Sequence, residues 1–322
     1  MIRQSDSWRQ NHVTVCIAAI CQPGMVLGAS DRMLTAGDIQ FEPDREKIFA
    51  LTTSIVAMTA GDASLQDELM AKLKGEIERR IETEKRWLTV QEVAELYGQY
   101  FAEVKSKKAE TAILSPLGLR TSSFLAQQSG MLPSLVEKLA TEMINFEIPT
   151  VSTIFAGIDL RGAHIYVVDD AEVTCRDSVG FAAIGAGEWH ASSQMMFAGH
   201  SIIKWFPDTV LSVYAAKKRA EVAPGVGEAT DMFIVHELGG FNRFLAHEIQ
   251  GLESIYKELR LKETTAFQEA RNHSNDFIQA LITAATPKEQ VALPETPEGS
   301  SSASSEEEQT KKEDVDRSAG HP

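Results

Sequence analysis

Two pairs of short apolar segments near the amino end constrain the fold more than any other feature of the chain. The first pair is 14–20 (TVCIAAI) and 25–30 (MVLGAS), separated by the turn-forming letters QPG. The second pair is 47–51 (KIFAL) and 54–58 (SIVAM), separated by two threonines. Segments this short and this uniformly apolar predict β-hairpins in a sheet that is covered on both faces.

Helical periodicity follows these strands. Apolar residues recur on one helical face between Leu65 and Ile77, and Thr89 with Glu92 forms a capping box ahead of a second apolar stripe. Further elements are predicted at 135–146 (a helix) and at 151–158, 163–168 and 231–235 (strands). Paired strands that alternate with paired helices predict a layered α/β fold with antiparallel strands rather than repeated βαβ units.

The charge of the chain is strongly negative, with 46 acidic residues against 31 Lys and Arg and a net charge of -15. Such a chain is repelled by nucleic acid and by anionic membranes, so neither is expected as a partner. Residues 286–322 carry nine acids against four bases, are rich in Ser and Pro, and contain few large apolar residues. They are predicted to be a disordered acidic tail.

Cysteine and histidine positions predict neither a disulfide framework nor a metal centre. Cys16, Cys21 and Cys175 form no CxxC pair, and the histidines show no metal-ligand spacing. The GAG at 185–187 lacks the third glycine of a dinucleotide loop, so no cofactor is predicted. Reduced thiols, a polar amino end and the lack of an apolar run of ~18–20 residues predict a soluble cytoplasmic protein.

Four positions at the ends of the first apolar segments stand at informative intervals. Thr14 begins the first segment, Asp31 follows the second, Lys47 opens the third, and Gly61 follows the fourth in the sequence AMTAGD. Asp31 and Lys47 are 16 residues apart, and Lys47 and Gly61 are 14 apart. In these segments and spacings the chain resembles proteasome β-type subunits and their bacterial relatives, within the N-terminal nucleophile hydrolases. The interval from Thr14 to Asp31 is one residue longer than in that family, and Ser30 is the predicted insertion.

Later segments extend the resemblance to about Val235. In the family's order they are 156–159 (AGID), 165–169 (IYVVD), 184–187 (IGAG) and 227–235 (GEATDMFIV). The resemblance implies an α/β fold, a four-layer αββα sandwich of two antiparallel sheets flanked by helices.

The resemblance also implies a site in which Thr14 is the nucleophile and the first residue of the mature chain. A threonine hydroxyl needs an adjacent base, and a free α-amine with a pKa of ~7.7–8.0 can serve. Lys47 would lower the pKa of that amine by like-charge repulsion, Asp31 would hold Lys47, and the Gly61 N–H would stabilise the oxyanion. Residues 1–13 must then be removed, because Thr14 in a peptide bond has no basic amine. The predicted function is a proteasome-like threonine peptidase or amidase.

The chain departs from the family at several supporting positions. Val13 stands where the family usually has glycine, and Ala186 replaces a supporting serine. An aspartate and a second serine of the family fall near Ala223 and Val226, with Glu221 as the nearest substitute. These departures favour, as the alternative function, a catalytically inactive subunit that acts as an assembly or binding module.

Cys16 is an alternative nucleophile, because related hydrolases use cysteine. It lies two residues beyond Thr14 and therefore on the same face of the predicted strand. A buried thiol in the core is the competing interpretation.

The chain is predicted to have four parts: a leader (1–13), the hydrolase-like domain (14–237), a helical extension (238–285) and the tail (286–322). The apolar stripe of the extension comprises Phe244, Ile249, Leu252, Ile255 and Leu259. This stripe is expected either to pack on the domain or to contact another subunit, since the resemblance implies a homo-oligomeric ring. The chain has no GxxxxGK[ST] motif, so any ATPase would be a separate partner.

Overall fold

The computed structural model describes residues 14–36, 39–41, 47–236, 238 and 240–285. The predicted leader (1–13) and tail (286–322) lie outside these residues. The strands of the described residues are β1 (Cys16–Cys21), β2 (Met25–Asp31), β3 (Leu34–Ala36), β4 (Ile39–Phe41), β5 (Ile48–Ala50), β6 (Ile55–Gly61), β7 (Val151–Asp159), β8 (Gly162–Asp169), β9 (Glu172–Cys175), β10 (Phe181–Ile184), β11 (Thr230–Val235) and β12 (Phe241–Arg243).

Seven α-helices occur in the part of the chain that the structure describes. They are α1 (Ala63–Glu84), α2 (Val90–Ala109), α3 (Thr121–Gln127), α4 (Pro133–Ile144), α5 (Glu188–Phe197), α6 (Phe206–Ala220) and α7 (Ala246–Ala285). The side chain of Asp62 caps α1 by accepting from Leu65 N at 2.8 Å. Thr89 and Glu92 form the predicted capping box at the start of α2.

The strands form two five-stranded sheets, in the orders β10-β1-β2-β11-β12 and β5-β6-β7-β8-β9, with β3 and β4 as a separate pair. All of their pairings are antiparallel. Both predicted hairpins are present, and β1 and β2 are buried along their whole length. Successive side chains of a strand point to opposite faces of the sheet. Both faces of this sheet are covered by apolar residues, so every residue of these two strands is buried.

Three apolar cores define the layers. Along β1, odd-numbered residues pack toward α5 and α6, and even-numbered residues pack toward the second sheet. The second sheet in turn packs its other face on α1 and α2. The predicted arrangement of two antiparallel sheets between layers of helices is therefore confirmed.

Ser30, the predicted insertion relative to the family, pairs in register with Cys16 on one side and Asp231 on the other, so β2 continues through this position without a bulge. In the extension, Phe244, Ile249 and Leu252 of the predicted stripe pack on the core around α6, together with Tyr256. Ile255 departs from the prediction, because it is 54 % exposed.

The described chain divides into two compact units, one ending at Thr264 and the other beginning at Thr265. The first unit contains both sheets and the beginning of α7. In the second unit, side chains from 265 to 284 are exposed. Within the described residues, no helix is long and apolar enough to cross a membrane.

Candidate active site

Three of the four predicted site residues converge at one end of the sandwich. Thr14 lies two residues before the start of β1, Asp31 ends the neighbouring strand β2, and Lys47 immediately precedes β5 of the second sheet. Their exposed fractions are 1 %, 0 % and 5 %. The two sheets therefore bring together, in the apolar interior, side chains that are far apart in sequence.

These residues, called here the Thr14 cluster, are joined by direct hydrogen bonds. The Lys47 ammonium donates to Thr14 Oγ1 and, at 2.9 Å, to Asp31 Oδ1. The Thr14 hydroxyl donates to the same carboxylate oxygen. A hydroxyl placed between an ammonium and a carboxylate has its lone pairs and its proton oriented by charged partners, which are the stronger kind of hydrogen bond.

Backbone amides fix the Asp31 carboxylate in this position. Val15 N donates to Oδ1 at 3.0 Å, and Met33 N and Gly227 N each donate to Oδ2 at 3.0 Å. With Lys47, both carboxylate oxygens are satisfied within a fully buried site. This network offsets the cost of burying the charge, which an unpaired carboxylate could not do.

The segment Gly185-Ala186-Gly187 passes close to the backbone of Thr14. Gly187 N donates to Thr14 O at 3.2 Å. Gly185 has a φ of +93°, and a Cβ at this position would lie 2.4 Å from Thr14 O. The glycine is therefore required by both its conformation and its contact. Ala186 is the residue where the family has serine, so this segment supports Thr14 through the backbone.

Gly61 ends β6 with a φ of +125°, directly before the residue that caps α1. It occupies the predicted strand-to-helix junction. The hydrogen bonds of the Thr14 cluster do not include Gly61. Its position fits a backbone donor at a helix start, and its role as an oxyanion donor stays a prediction.

Cys16 begins β1, two residues beyond Thr14, and its side chain is fully buried. Burial raises the pKa of its thiol to about 12, although the charge of Lys47 acts in the opposite direction. Its Sγ contacts the carbonyl oxygen of Thr59 at 3.5 Å. A protonated, fully buried thiol is typical of a core residue and not of a nucleophile.

A second buried lysine lies behind the cluster and was missed by the sequence analysis. Lys217 of α6 is 0 % exposed, and its Nζ donates to Glu221 Oε1 at 2.6 Å, Gly227 O at 2.9 Å and Glu228 O at 2.7 Å. Glu221, the predicted substitute for the missing family residues, pairs with Lys217 and with Lys218. Its contact with the Thr14 cluster is thus indirect, through Lys217 and the backbone of Gly227.

The described residues contain no group of three or more His, Cys, Asp or Glu side chains that could hold a metal ion. The Thr14 cluster itself presents a hydroxyl, an ammonium, a carboxylate and backbone amides.

The segment that carries the Thr14 cluster is similar to a known protein family. The family model described as Proteasome subunit matches residues 11–118. The resemblance to the proteasome family is confirmed. No curated protein matches the chain.

The proteasome match includes all three members of the Thr14 cluster and Gly61, together with the first sheet hairpin and α1 and α2. It supports a proteasome-like N-terminal nucleophile hydrolase at the level of the family. Lys217 and Gly227 lie beyond the matched residues, so their place beside the proteasome-type cluster comes from the structure alone.

Proposed function

We propose that the chain is a threonine-type N-terminal nucleophile hydrolase whose nucleophile, Thr14, is exposed by removal of residues 1–13. The observation that carries this proposal is the buried contact of the Thr14 hydroxyl with both Lys47 and Asp31. The match to the proteasome family supports the same assignment. The substrate class would be a peptide or another amide.

The first chemical step would form an ester. The free α-amine of Thr14 accepts the hydroxyl proton while Oγ1 attacks the substrate carbonyl, and the charged Lys47 stabilises the developing negative charge on Oγ1. The amide N–H of Gly61 would stabilise the oxyanion of the tetrahedral intermediate. Collapse of that intermediate breaks the amide bond, and the protonated α-amine returns its proton to the leaving nitrogen.

The second step would release the product. A water molecule gives a proton to the α-amine and attacks the ester carbonyl, and the departing Oγ1 recovers a proton. Asp31 holds Lys47 in contact with Oγ1 through their ion pair at 2.9 Å. Its three amide donors hold it in one orientation during both steps.

A catalytically inactive assembly or binding subunit is the second candidate function. Thr14 is only 1 % exposed, and Val13 and Ala186 replace the small and polar residues that support processing and catalysis in the family. A hydrolase must therefore uncover Thr14, whereas an inactive subunit can leave it buried.

Intact mass and covalent labelling of the full-length chain distinguish the two. We expect a species that begins at Thr14 and takes up one equivalent of a peptide epoxyketone, a reagent that reacts with both the hydroxyl and the α-amine of an N-terminal threonine. Thr14→Ala should abolish processing and labelling, and Thr14→Ser should retain both.

Thr59→Ala is the matched control, because Thr59 is equally buried on β6 but donates to Gln66 at 2.9 Å. It should be processed and labelled like the original chain. Labelling that persists in Thr14→Ala would place the nucleophile elsewhere. A chain that is neither processed nor labelled under any condition would support the inactive subunit.

The hydrolase would comprise residues 14–237, with 238–285 as a helical extension, and would assemble with other copies of the chain into a ring. Native mass spectrometry tests the ring, and a monomer at micromolar concentration would contradict it. Any ATPase that delivers unfolded substrate would be a separate chain.

A further inference from the structure

Lys217 is a fully buried lysine of α6, the helix that packs on the sheet containing β1 and β2. All three donors of its ammonium group are engaged, with Glu221 Oε1 and the carbonyl oxygens of Gly227 and Glu228. Burial lowers the pKa of Lys217, while the hydrogen bond with Glu221 favours the charged form. A lysine is seldom placed in such an environment without a specific set of partners.

The segment that Lys217 holds is a loop without regular structure. It joins α6 to β11, and it turns at Gly225, where φ is +79°. Val226 N donates to Ala223 O at 3.2 Å, but residues 227 and 228 belong to no helix or strand. Two hydrogen bonds from one ammonium group therefore anchor the carbonyls of this part of the loop.

Gly227 connects that anchor to the active site. Its carbonyl oxygen accepts from Lys217, and its N–H donates to Asp31 Oδ2 at 3.0 Å. The other oxygen of Asp31 contacts Lys47 and Thr14. A shift of the Gly227 peptide would thus change the orientation of the carboxylate on which the nucleophile and its lysine depend.

We propose that Lys217 is a positioning residue for the Thr14 cluster, and that it acts by anchoring the Gly227 peptide that orients Asp31. This arrangement supplies from α6 a support that the chain lacks at Ala186, Ala223 and Val226. The proposal rests on the hydrolase function proposed above. It assigns to Lys217 a function that the segment matched by the family model does not contain.

Lys218 offers a matched control on the same helix. Its Nζ lies 2.9 Å from the same Glu221 oxygen and 3.8 Å from Glu253, and its side chain is 18 % exposed. Its ion pairs are with carboxylates, not with the carbonyls of the 227–228 loop. Lys217→Met and Lys218→Met therefore remove the same charge from the same carboxylate, but only the first removes the loop anchor.

The experiment measures two properties of the full-length chain and its variants. The first is the rate of epoxyketone labelling, separated into the maximal rate constant and the half-saturating concentration. For Lys217→Met we expect the maximal rate constant to fall ~10–100-fold, as for misplacement of a reacting group by about 1 Å, with the half-saturating concentration within ~3-fold of the original. Lys218→Met should change neither by more than ~3-fold.

The second property is hydrogen exchange of the peptide that covers residues 222–229. Lys217→Met should increase exchange of the Gly227 amide at least ~10-fold, because this N–H loses its fixed acceptor geometry. Lys218→Met should leave it unchanged. Lys217→Gln, which keeps one donor group, should give intermediate values in both measurements.

Each outcome decides the proposal. Equal labelling and equal exchange in Lys217→Met and the original chain would overturn it, and so would failure of both Lys217 variants to fold, which would assign the residue to stability. Faster exchange with unchanged labelling would confirm the anchor but overturn its effect on the site. If the original chain is never labelled, the hydrolase proposal fails, and hydrogen exchange still decides whether Lys217 anchors Gly227.

Discussion

The charges around Thr14 and the charges on the outer helices α1 and α2 are arranged in opposite ways. Asp31 and Lys47 are buried, and each has several fixed partners. By contrast, the exposed ion pair between Lys72 and Glu103 links α1 to α2 at the surface, with side chains 41 % and 61 % exposed. Water can solvate a surface charge that has lost its partner, whereas a buried charge that has lost its partner remains in a medium of low dielectric constant.

The two regions differ in how much the stability of the fold depends on each charged pair. A surface pair contributes ~0–1 kcal/mol, because its Coulomb attraction is screened and its side chains lose entropy. A buried pair adds little net stability against an apolar equivalent, yet breaking it costs ~3–5 kcal/mol, because one charge is left uncompensated. The buried cluster therefore adds little net stability, although the loss of one of its partners is costly.

The largest expected effect is on the buried member of this comparison. Lys47→Met should lower the free energy of unfolding by ~3–5 kcal/mol, because Asp31 would remain buried without its countercharge. Lys72→Met, the same substitution at the surface, should cost ~0–1 kcal/mol. Urea denaturation of both full-length variants measures the difference. A cost below ~1 kcal/mol for Lys47→Met would remove the distinction between the two regions.

Thiol reactivity tests whether the charge of Lys47 acts on its neighbours. Burial raises the pKa of both Cys16 and Cys21 to about 12 from an ordinary value of 9.0, whereas Cys175 is exposed. Three pKa units correspond to a ~10³-fold smaller thiolate fraction. Iodoacetamide at pH 8 should modify only Cys175 in the native chain.

Peptide mapping after alkylation identifies the modified residue, and a denatured sample should show all three thiols modified. Rapid modification of native Cys16 would show that Lys47 overcomes the effect of burial. It would also restore Cys16 as a candidate nucleophile.

The smallest expected effect is at the surface. Glu92 closes the capping box of α2, accepts from Thr89 N at 2.8 Å, and pairs with Arg86 at 2.6 Å. Its hydrogen bond with Arg86, together with those from Thr89, lowers the pKa of this carboxyl from 4.5 to about 2, against the effect of burial. The stabilisation is therefore present above pH 4.5 and is lost as the pH falls toward 2.

Glu92→Gln should lower the free energy of unfolding by ~0.5–1 kcal/mol at pH 7, because the pair is partly exposed and screened. The difference from the original chain should shrink between pH 4.5 and pH 3. Glu95→Gln, at a carboxylate of the same helix that lies outside the capping box, controls for the substitution itself. A difference for Glu92→Gln that is the same at pH 3 and pH 7 would contradict the assigned role.

The sequence could predict the sheets and the first two helices because their signals are local. Period-2 burial, turn residues and the Thr89 capping box each depend on neighbours within a few positions. The convergence of Thr14, Asp31 and Lys47 was predicted from a family resemblance. Local pattern alone could not place Lys47 beside a strand of the other sheet.

Lys217 could not be predicted, because an AAKKRAE segment with lysine and glutamate four residues apart is typical of an exposed helix face. Its burial depends on the loop at 227–228, and that loop contacts Lys217 and Asp31 through backbone atoms, which carry no residue-specific signal. Apolar periodicity predicts the packed face of α7 through Ile249 and Leu252, whereas the packing of Tyr256 in place of Ile255 depends on which neighbours are available.

The contact between Gly187 and Thr14 has a consequence for entropy. The first residue of a chain is ordinarily its most mobile part, and a nucleophile placed there would lose much of its activity to disorder. Here Gly187 N donates to Thr14 O, and the next amide, Val15 N, donates to Asp31. In a chain cut before Thr14, the first peptide group would already have both its carbonyl oxygen and its N–H in hydrogen bonds. Ordering of the new terminus would therefore cost little entropy when substrate binds.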